Sequence, residues 1–448
     1  MKNMKFSALL LLFFVIATVF PVGAFASADN PPDIAAERAL VMDPASGTVL
    51  YEKNADERAS PASLTKIMTA LIIMEEGNLD DVVTVRQSAL DALHPESSVA
   101  GLYAGEEMLM EFMLDCILIA SANDACNAVA EHLYGSVDAF VARMNERAAE
   151  LGCTNTQFKN AHGLTEEGHY STARDIYKIT LAALEHPMFL DICNTASLIV
   201  PATNKFGERT FYSTNHLISR LKNPDYIYHY AKGIKTGHTS AAGYCLVSSA
   251  EKNDHYYVCV VMGSRKDEET GKLMSFVDTK NLYEWAFDSF SEQQLLDSTK
   301  GLYELPVELS SDADYVVLKP ESQLYALLPD TFDIEQVELK VSVDTPEGVT
   351  APVVKGDKYG EVHVIWNGRE YGSVPLVAMN SVALDKTLLY RQEVKAFFKQ
   401  PWVLYVGLGI VFLIVAYIIF IIILNISRRR KRSRRRSYRG SSRNRGRR

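Results

Sequence analysis

Residues 61–74 read Pro61-Ala62-Ser63-Leu64-Thr65-Lys66-Ile67-Met68-Thr69-Ala70-Leu71-Ile72-Ile73-Met74, and the rest of the chain is organised around them. Pro and Ser stand where helices start, and the apolar run behind them has helical period and length. Ser63 and Lys66 are three apart, so on a helix they share a face and touch. A hydroxyl beside an amine is a nucleophile beside a candidate base, held by backbone geometry. The S-x-x-K pattern alone is weak. Roughly one or two matches arise by chance at ordinary Ser and Lys usage, and Ser219/Lys222 and Ser249/Lys252 match as well. Ser63 stands apart through its helix-start context and the two motifs that follow it in order.

Ser121-Ala122-Asn123 lies 58 residues after Ser63, and Lys235-Thr236-Gly237-His238-Thr239 lies 114 residues further on. S-x-N is common, since Ser213-Thr214-Asn215 also fits it, whereas K-T-G occurs once. The ordered triple is far more specific than its parts. Acyl transfer through serine needs a base for the Ser63 proton. Lys66 can serve if nearby positive charge lowers its pKa, and Lys235 is the candidate source of that charge. Ser121 can relay the proton towards the leaving group, and the Asn123 amide can bond a substrate backbone. On a strand, Lys235 and Gly237 face one way and Thr236 the other. Without a side chain at Gly237, a substrate backbone can lie against that strand as an added one. The N–H groups of Ser63 and about His238 would then form an oxyanion hole. The plainer alternative is that Ser121 and Asn123 cap the next helix and that Lys235 is an ordinary exposed lysine.

The 448 residues suggest two or three domains, and 48% apolar with 23% charged residues describes a folded chain. The net charge of −9 hides an asymmetry. Residues 428–448 hold 13 Lys and Arg and no acid, and Lys2 and Lys5 sit in the leader. The body between keeps 31 basic against 55 acidic side chains, about −24, which argues against nucleic acid as a partner. Lys2 and Lys5, the uncharged run from Phe6 to Val22 and Ala24-Phe25-Ala26 read as a cleavable secretory signal over 1–28. A second uncharged apolar run, 402–424, is long enough to cross a bilayer as a helix. The Arg-rich tail behind it suits the cytoplasmic side, with the acidic body outside, and anionic lipid is its secondary attraction. Six cysteines lack metal-site spacing and mostly sit in apolar stretches, as small buried hydrophobes do.

The order of elements gives the fold class. A hairpin is expected around Asp43-Pro44-Ala45-Ser46-Gly47, then the Ser63 helix, helices over 106–151 and a loop from Asn160 to Thr172. A helix over 173–185 follows, then strands 244–250 and 255–262 and a closing helix near 275–290. Strands at both ends with helices between imply an α+β domain, an antiparallel sheet covered by helices, over residues 29–295. From 303 to 395 short β-rich runs alternate with turns, and Asn367-Gly368 is a strong hairpin signal, so a small all-β module is expected.

With these residues in view the chain resembles the serine-type D-alanyl-D-alanine carboxypeptidases among the low-molecular-mass penicillin-binding proteins. The likeness runs over about residues 30–290. Besides the triad it includes Leu50-Tyr51-Glu52-Lys53-Asn54, Asp124-Ala125, Asn160-Ala161-His162-Gly163-Leu164 and Gly168-His169-Tyr170-Ser171-Thr172-Ala173. The later module is similar to the β-rich domain that follows the enzyme in this family, notably from Gly360 to Val374. The resemblance implies removal of the terminal D-alanine from peptidoglycan stem pentapeptides through an acyl-Ser63 intermediate, and acylation by β-lactam antibiotics. It implies no metal or other cofactor. Thr236 and Thr239 become candidates for hydrogen bonds to the substrate's terminal carboxylate, and Arg220 for its cationic partner. Three rivals stay open: a β-lactamase, with Glu166 or Glu167 activating water, a D,D-endopeptidase, and an inactive cell-wall scaffold.

Overall fold

The computed structural model describes residues 28, 30–95, 97–220 and 223–440; the expected signal segment lies outside them, apart from Ala28. The chain divides into two compact units. The first is Met1–Leu295 with Tyr325–Glu338 and Ile365–Tyr371, and the second is Leu296–Leu324, Leu339–Val364 and Gly372–Arg448.

The first unit is built on a five-stranded sheet. Strands β1 (Arg38–Asp43) and β2 (Thr48–Lys53) come from the start of the chain, and β3 (Ala231–Thr239), β4 (Gly243–Lys252) and β5 (His255–Ser264) from its later part. The order is β2-β1-β5-β4-β3, with β1 paired antiparallel to both β2 and β5, and β4 to both β3 and β5. Strand β3 is therefore an edge strand. The β1–β2 turn closes as its composition predicts. Asp43 accepts from the N–H of Ala45 and from the Ser46 hydroxyl, and Gly47 takes φ +66°.

Between these strands lie the helices. Lys66 to Ile73 of α1 (Lys66–Glu76) are all buried, so this is a central helix with no wet face over two turns. Ile67, Leu71, Ile72 and Ile73 are fully enclosed, each worth about 1.5–3 kcal/mol of burial. Helices α2 (Met110–Ile119), α3 (Asn123–Tyr134) and α4 (Ala173–Leu184) pack around α1. Two elements escape a periodicity reading. Glu107–Leu109 is a short strand against Val82–Thr84, and Ser197–Val200 pairs with Arg209–Tyr212 as a hairpin. All six cysteines are buried and unpaired.

A six-stranded sheet lies downstream, ordered Glu338–Val343, Lys358–Trp366, Arg369–Ala378, Tyr315–Pro320, Tyr303–Glu308, Val349–Thr350. Asn367 and Gly368 turn between two of these strands at φ +49° and +75°, as a two-residue hairpin requires. Lys386–Lys399 is helical, capped by the Asp385 carboxylate. Pro401–Gly440 follows as one helix, and its stretch Pro401–Arg430 is long and apolar enough to cross a membrane.

Candidate active site

Ser63 sits in a 3-10 turn, Ala62–Thr65, that runs directly into α1. The turn is held on two sides by glycines. A Cβ at Gly163 would lie 1.8 Å from the Ala62 carbonyl oxygen, and a Cβ at Gly237 would lie 2.9 Å from the Ser63 nitrogen. Both positions allow a backbone approach closed to any larger residue. Gly237 therefore seats the nucleophile's turn against β3. Ala62 is at φ +47° and Ser121 at φ +62°, left-handed values uncommon for residues with a Cβ and characteristic of functional sites.

Lys66 is wholly buried, and its Nζ has three oxygen partners: Ser63 Oγ at 3.0 Å, Asn123 Oδ1 at 2.7 Å and the His162 carbonyl at 2.7 Å. An ammonium satisfies all three. A neutral amine has two N–H donors, which the two shorter bonds consume, leaving its lone pair for the Ser63 hydroxyl. Burial pushes Lys66 down to about 8, in the range a base needs near neutral pH. The cause is desolvation. Lys235 goes down to about 7 through its own burial and then through its repulsion with Lys66, which the two groups share. Lys235 is buried, with Nζ on the Thr236 carbonyl at 3.0 Å, and is no ordinary surface lysine.

Asn123 opens α3 without capping it, since the cap residue is Ala122, and the first-turn N–H of Ala125 is taken by Asp124 Oδ1 at 3.0 Å. Its backbone N–H donates to Ser98 O at 2.7 Å while its side chain serves Lys66. The neighbouring Asp124 carboxylate is buried and accepts the N–H groups of Ala100 and Leu102. Ser121, also buried, lies in the bend before α3. Thr236 Oγ1 bonds Thr214 Oγ1 at 2.6 Å, and Thr239 Oγ1 bonds Thr165 Oγ1 at 2.8 Å. His238 is exposed, its ring stacked on Tyr244 at 4.1 Å. Arg220 is exposed, and among the described residues no hydrogen bond or ion pair ties it to this group.

The loop Asn160–Leu164 supplies one of the Lys66 partners. Asn160 Oδ1 accepts from Gly163 N at 2.7 Å and its Nδ2 donates to Leu164 O at 3.0 Å. That turn aims the His162 carbonyl at Lys66, and Thr69 Oγ1 holds the preceding carbonyl, of Ala161, at 2.6 Å. The two nearby imidazoles serve structure. Burial lowers His162 to about 3 and His169 to about 4, so both are neutral. His169 Nδ1 accepts from Lys159 N, so its proton is on Nε2, facing Thr65 Oγ1 at 2.9 Å. Glu166 and Glu167 are exposed, and Glu166 bonds Asn160 Nδ2 at 3.1 Å. The group as a whole presents a hydroxyl on a desolvated amine, beside an edge strand able to accept an extended peptide.

The comparisons agree with this chemistry. Residues 25–266 match the family described as D-alanyl-D-alanine carboxypeptidase, and residues 290–384 match the C-terminal domain of penicillin-binding protein 5. D-alanyl-D-alanine carboxypeptidase DacF of Bacillus subtilis is 32% identical over 377 residues, covering 82% of this chain and 92% of the relative. DacA of Escherichia coli is 33% identical over 363 residues, covering 78% and 84%. The crystal structure of penicillin-binding protein 5 from Haemophilus influenzae is similar at a TM-score of 0.58 and 30% identity, covering 79% of this chain and 99% of that one. By family and relatives, the chain belongs to the D-alanyl-D-alanine carboxypeptidases, serine hydrolases of the penicillin-binding protein class.

Proposed function

We propose that Ser63 is the acyl nucleophile of a carboxypeptidase that trims the terminal D-alanine from peptidoglycan stem pentapeptides, and that residues 29–295 carry this chemistry. The observation that carries the reading is Lys66, wholly buried and 3.0 Å from Ser63 Oγ with its other two bonds fixed. The neutral amine takes the Ser63 proton as Oγ attacks the carbonyl carbon of the penultimate D-alanine. The developing oxyanion is held by the N–H of Ser63 and that of about His238. Ser121 passes the proton to the leaving amine, the C–N bond breaks, and water releases the acyl group. Asn123 Nδ2 and the edge of β3 from Lys235 to Thr239, with Gly237 and His238 between, hold the substrate backbone. Thr236 and Thr239 bond the terminal carboxylate. Arg220 is the cationic partner for that carboxylate.

A β-lactam mimics the same terminus and acylates the same oxygen. The β-rich residues 303–395 stand between this enzyme and a single membrane span at 402–424, with the peptidase outside, the signal 1–28 removed and the basic tail 428–448 at the inner, anionic lipid surface. Nucleic acid is no partner of the acidic body.

The test is D-alanine release from a peptide ending in D-Ala-D-Ala. Wild type should release one equivalent per peptide, while Ser63→Ala and Lys66→Met should each fall by at least about 10³-fold. Retained activity in Ser63→Ala would overturn the assignment.

A further inference from the structure

The second S-x-N match, Ser213-Thr214-Asn215, has no part in the scheme above, yet it lies against the K-T-G strand. Thr236 Oγ1 donates to Thr214 Oγ1 at 2.6 Å, and both residues are half-buried. The segment under Thr214 is fixed. Ser213 N donates to Ala196 O at 2.9 Å, and Asn215 N donates back to Ser213 Oγ at 3.2 Å. Asn215 Oδ1 takes Leu217 N at 3.0 Å, and Ser213, Asn215 and Leu217 are all buried. Thr214 is thus a hydroxyl on a rigid loop, aimed at one atom of the substrate edge.

A hydroxyl has one proton, and a carboxylate only accepts. In the arrangement described, Thr236 spends its proton on Thr214 and has none for the substrate's terminal carboxylate, so both hydroxyls must rotate when substrate binds. The pair can satisfy a carboxylate when the chain runs the other way: Thr214 O–H donates to Thr236 Oγ1, and Thr236 O–H donates to the substrate. Hydrogen bonds in such a chain polarise one another, so the outer one is strengthened. Without the inner donor, Thr236 is free to turn among its staggered wells.

We propose that Thr214 is a positioning residue for carboxylate recognition, orienting the Thr236 hydroxyl and its proton towards the substrate's C-terminus. This rests on the reading that Thr236 meets the carboxylate.

The experiment measures D-alanine release by the full chain in detergent, on a peptide ending in D-Ala-D-Ala and on the same peptide with a C-terminal carboxamide. Thr214→Val should raise KM for the carboxylate peptide about tenfold, the scale of one charge-assisted hydrogen bond, with kcat within about twofold. Thr214→Ser should restore the wild-type KM. On the carboxamide peptide, Thr214→Val and wild type should have equal kcat/KM. An unchanged KM, an equal loss on both peptides, or a fall in kcat alone would each overturn the proposal. Thr236→Val separates the two readings: if its KM for the carboxylate peptide is that of wild type, the parent reading fails, whatever Thr214 does. Should Thr214→Val not fold, Thr214→Ala, which only removes atoms from a half-buried site, carries the same comparison.

Discussion

Gly237→Ala puts one methyl group between the K-T-G strand and the nucleophile. Its Cβ would lie 2.9 Å from Ser63 N, 3.1 Å from Ala62 Cβ and 3.3 Å from Leu64 N. Ordinary contact starts near 3.4 Å, so β3 and the Ser63 turn must part by roughly 0.5 Å. Neither side yields cheaply. The turn is clamped from behind by Gly163, and β3 is bonded along its length to β4. Overpacking of this kind costs about 1–3 kcal/mol of stability. The kinetic effect should be larger, because the proposed oxyanion hole pairs Ser63 N–H with the β3 edge, and a displacement near 1 Å costs on the order of 10² in rate. Acylation by a penicillin, followed by stopped-flow, should therefore slow by roughly 10- to 100-fold, with a lower denaturation midpoint. Wild-type acylation together with wild-type stability would refute the account of why Gly stands there.

Acylation should rise with pH through about 8, as Lys66 loses its proton, read from the pH profile of the acylation rate; a flat profile from 6 to 9 would contradict the base assignment. Stability should follow the same direction. Unfolded lysines keep their protons to about 10.5 whereas the buried pair releases them near 8 and 7. The unfolded state thus binds more protons between about 7 and 10.5, and these two groups make stability increase with pH there, measurable from denaturant midpoints against Lys66→Met. Arg209→Met should cost about 3–5 kcal/mol in urea titration. It strands Glu106, whose carboxyl is buried yet held below its ordinary value by two guanidinium bonds at 2.7 and 3.0 Å, Thr203 Oγ1 and Tyr103 N. A chain ending at residue 395 should leave the membrane fraction while keeping its D-alanine release; retention in that fraction would remove the role given to the apolar helix.

The sequence carried the local half of this site and missed the long-range half. Ser63 and Lys66 were readable because helical spacing alone brings them together, and the Asp43–Gly47 turn because its side chains bond their own backbone. Asn123 and Lys235 were named from motifs, but their burial and partners depend on packing that no local pattern encodes. The His162 carbonyl could not be seen, since it is a backbone atom 96 residues from Lys66, aimed by the side chain of Asn160. The same holds for Glu106 and Arg209, which are 103 residues apart. The Ser197–Val200 and Arg209–Tyr212 hairpin was missed because its strands have four residues each and a long polar connection. The largest source of the Lys66 shift is hidden for a related reason: charge is visible in a sequence, and desolvation is not.

The central claim is that one hydroxyl, on Ser63, takes the acyl group. Intact mass of the protein after mixing with a penicillin, then peptide mapping of the adduct, tests it most directly. One long-lived adduct per chain, located on the peptide containing Ser63 and absent from Ser63→Ala, is the predicted result. An adduct on another residue, or one that persists in Ser63→Ala, would contradict it.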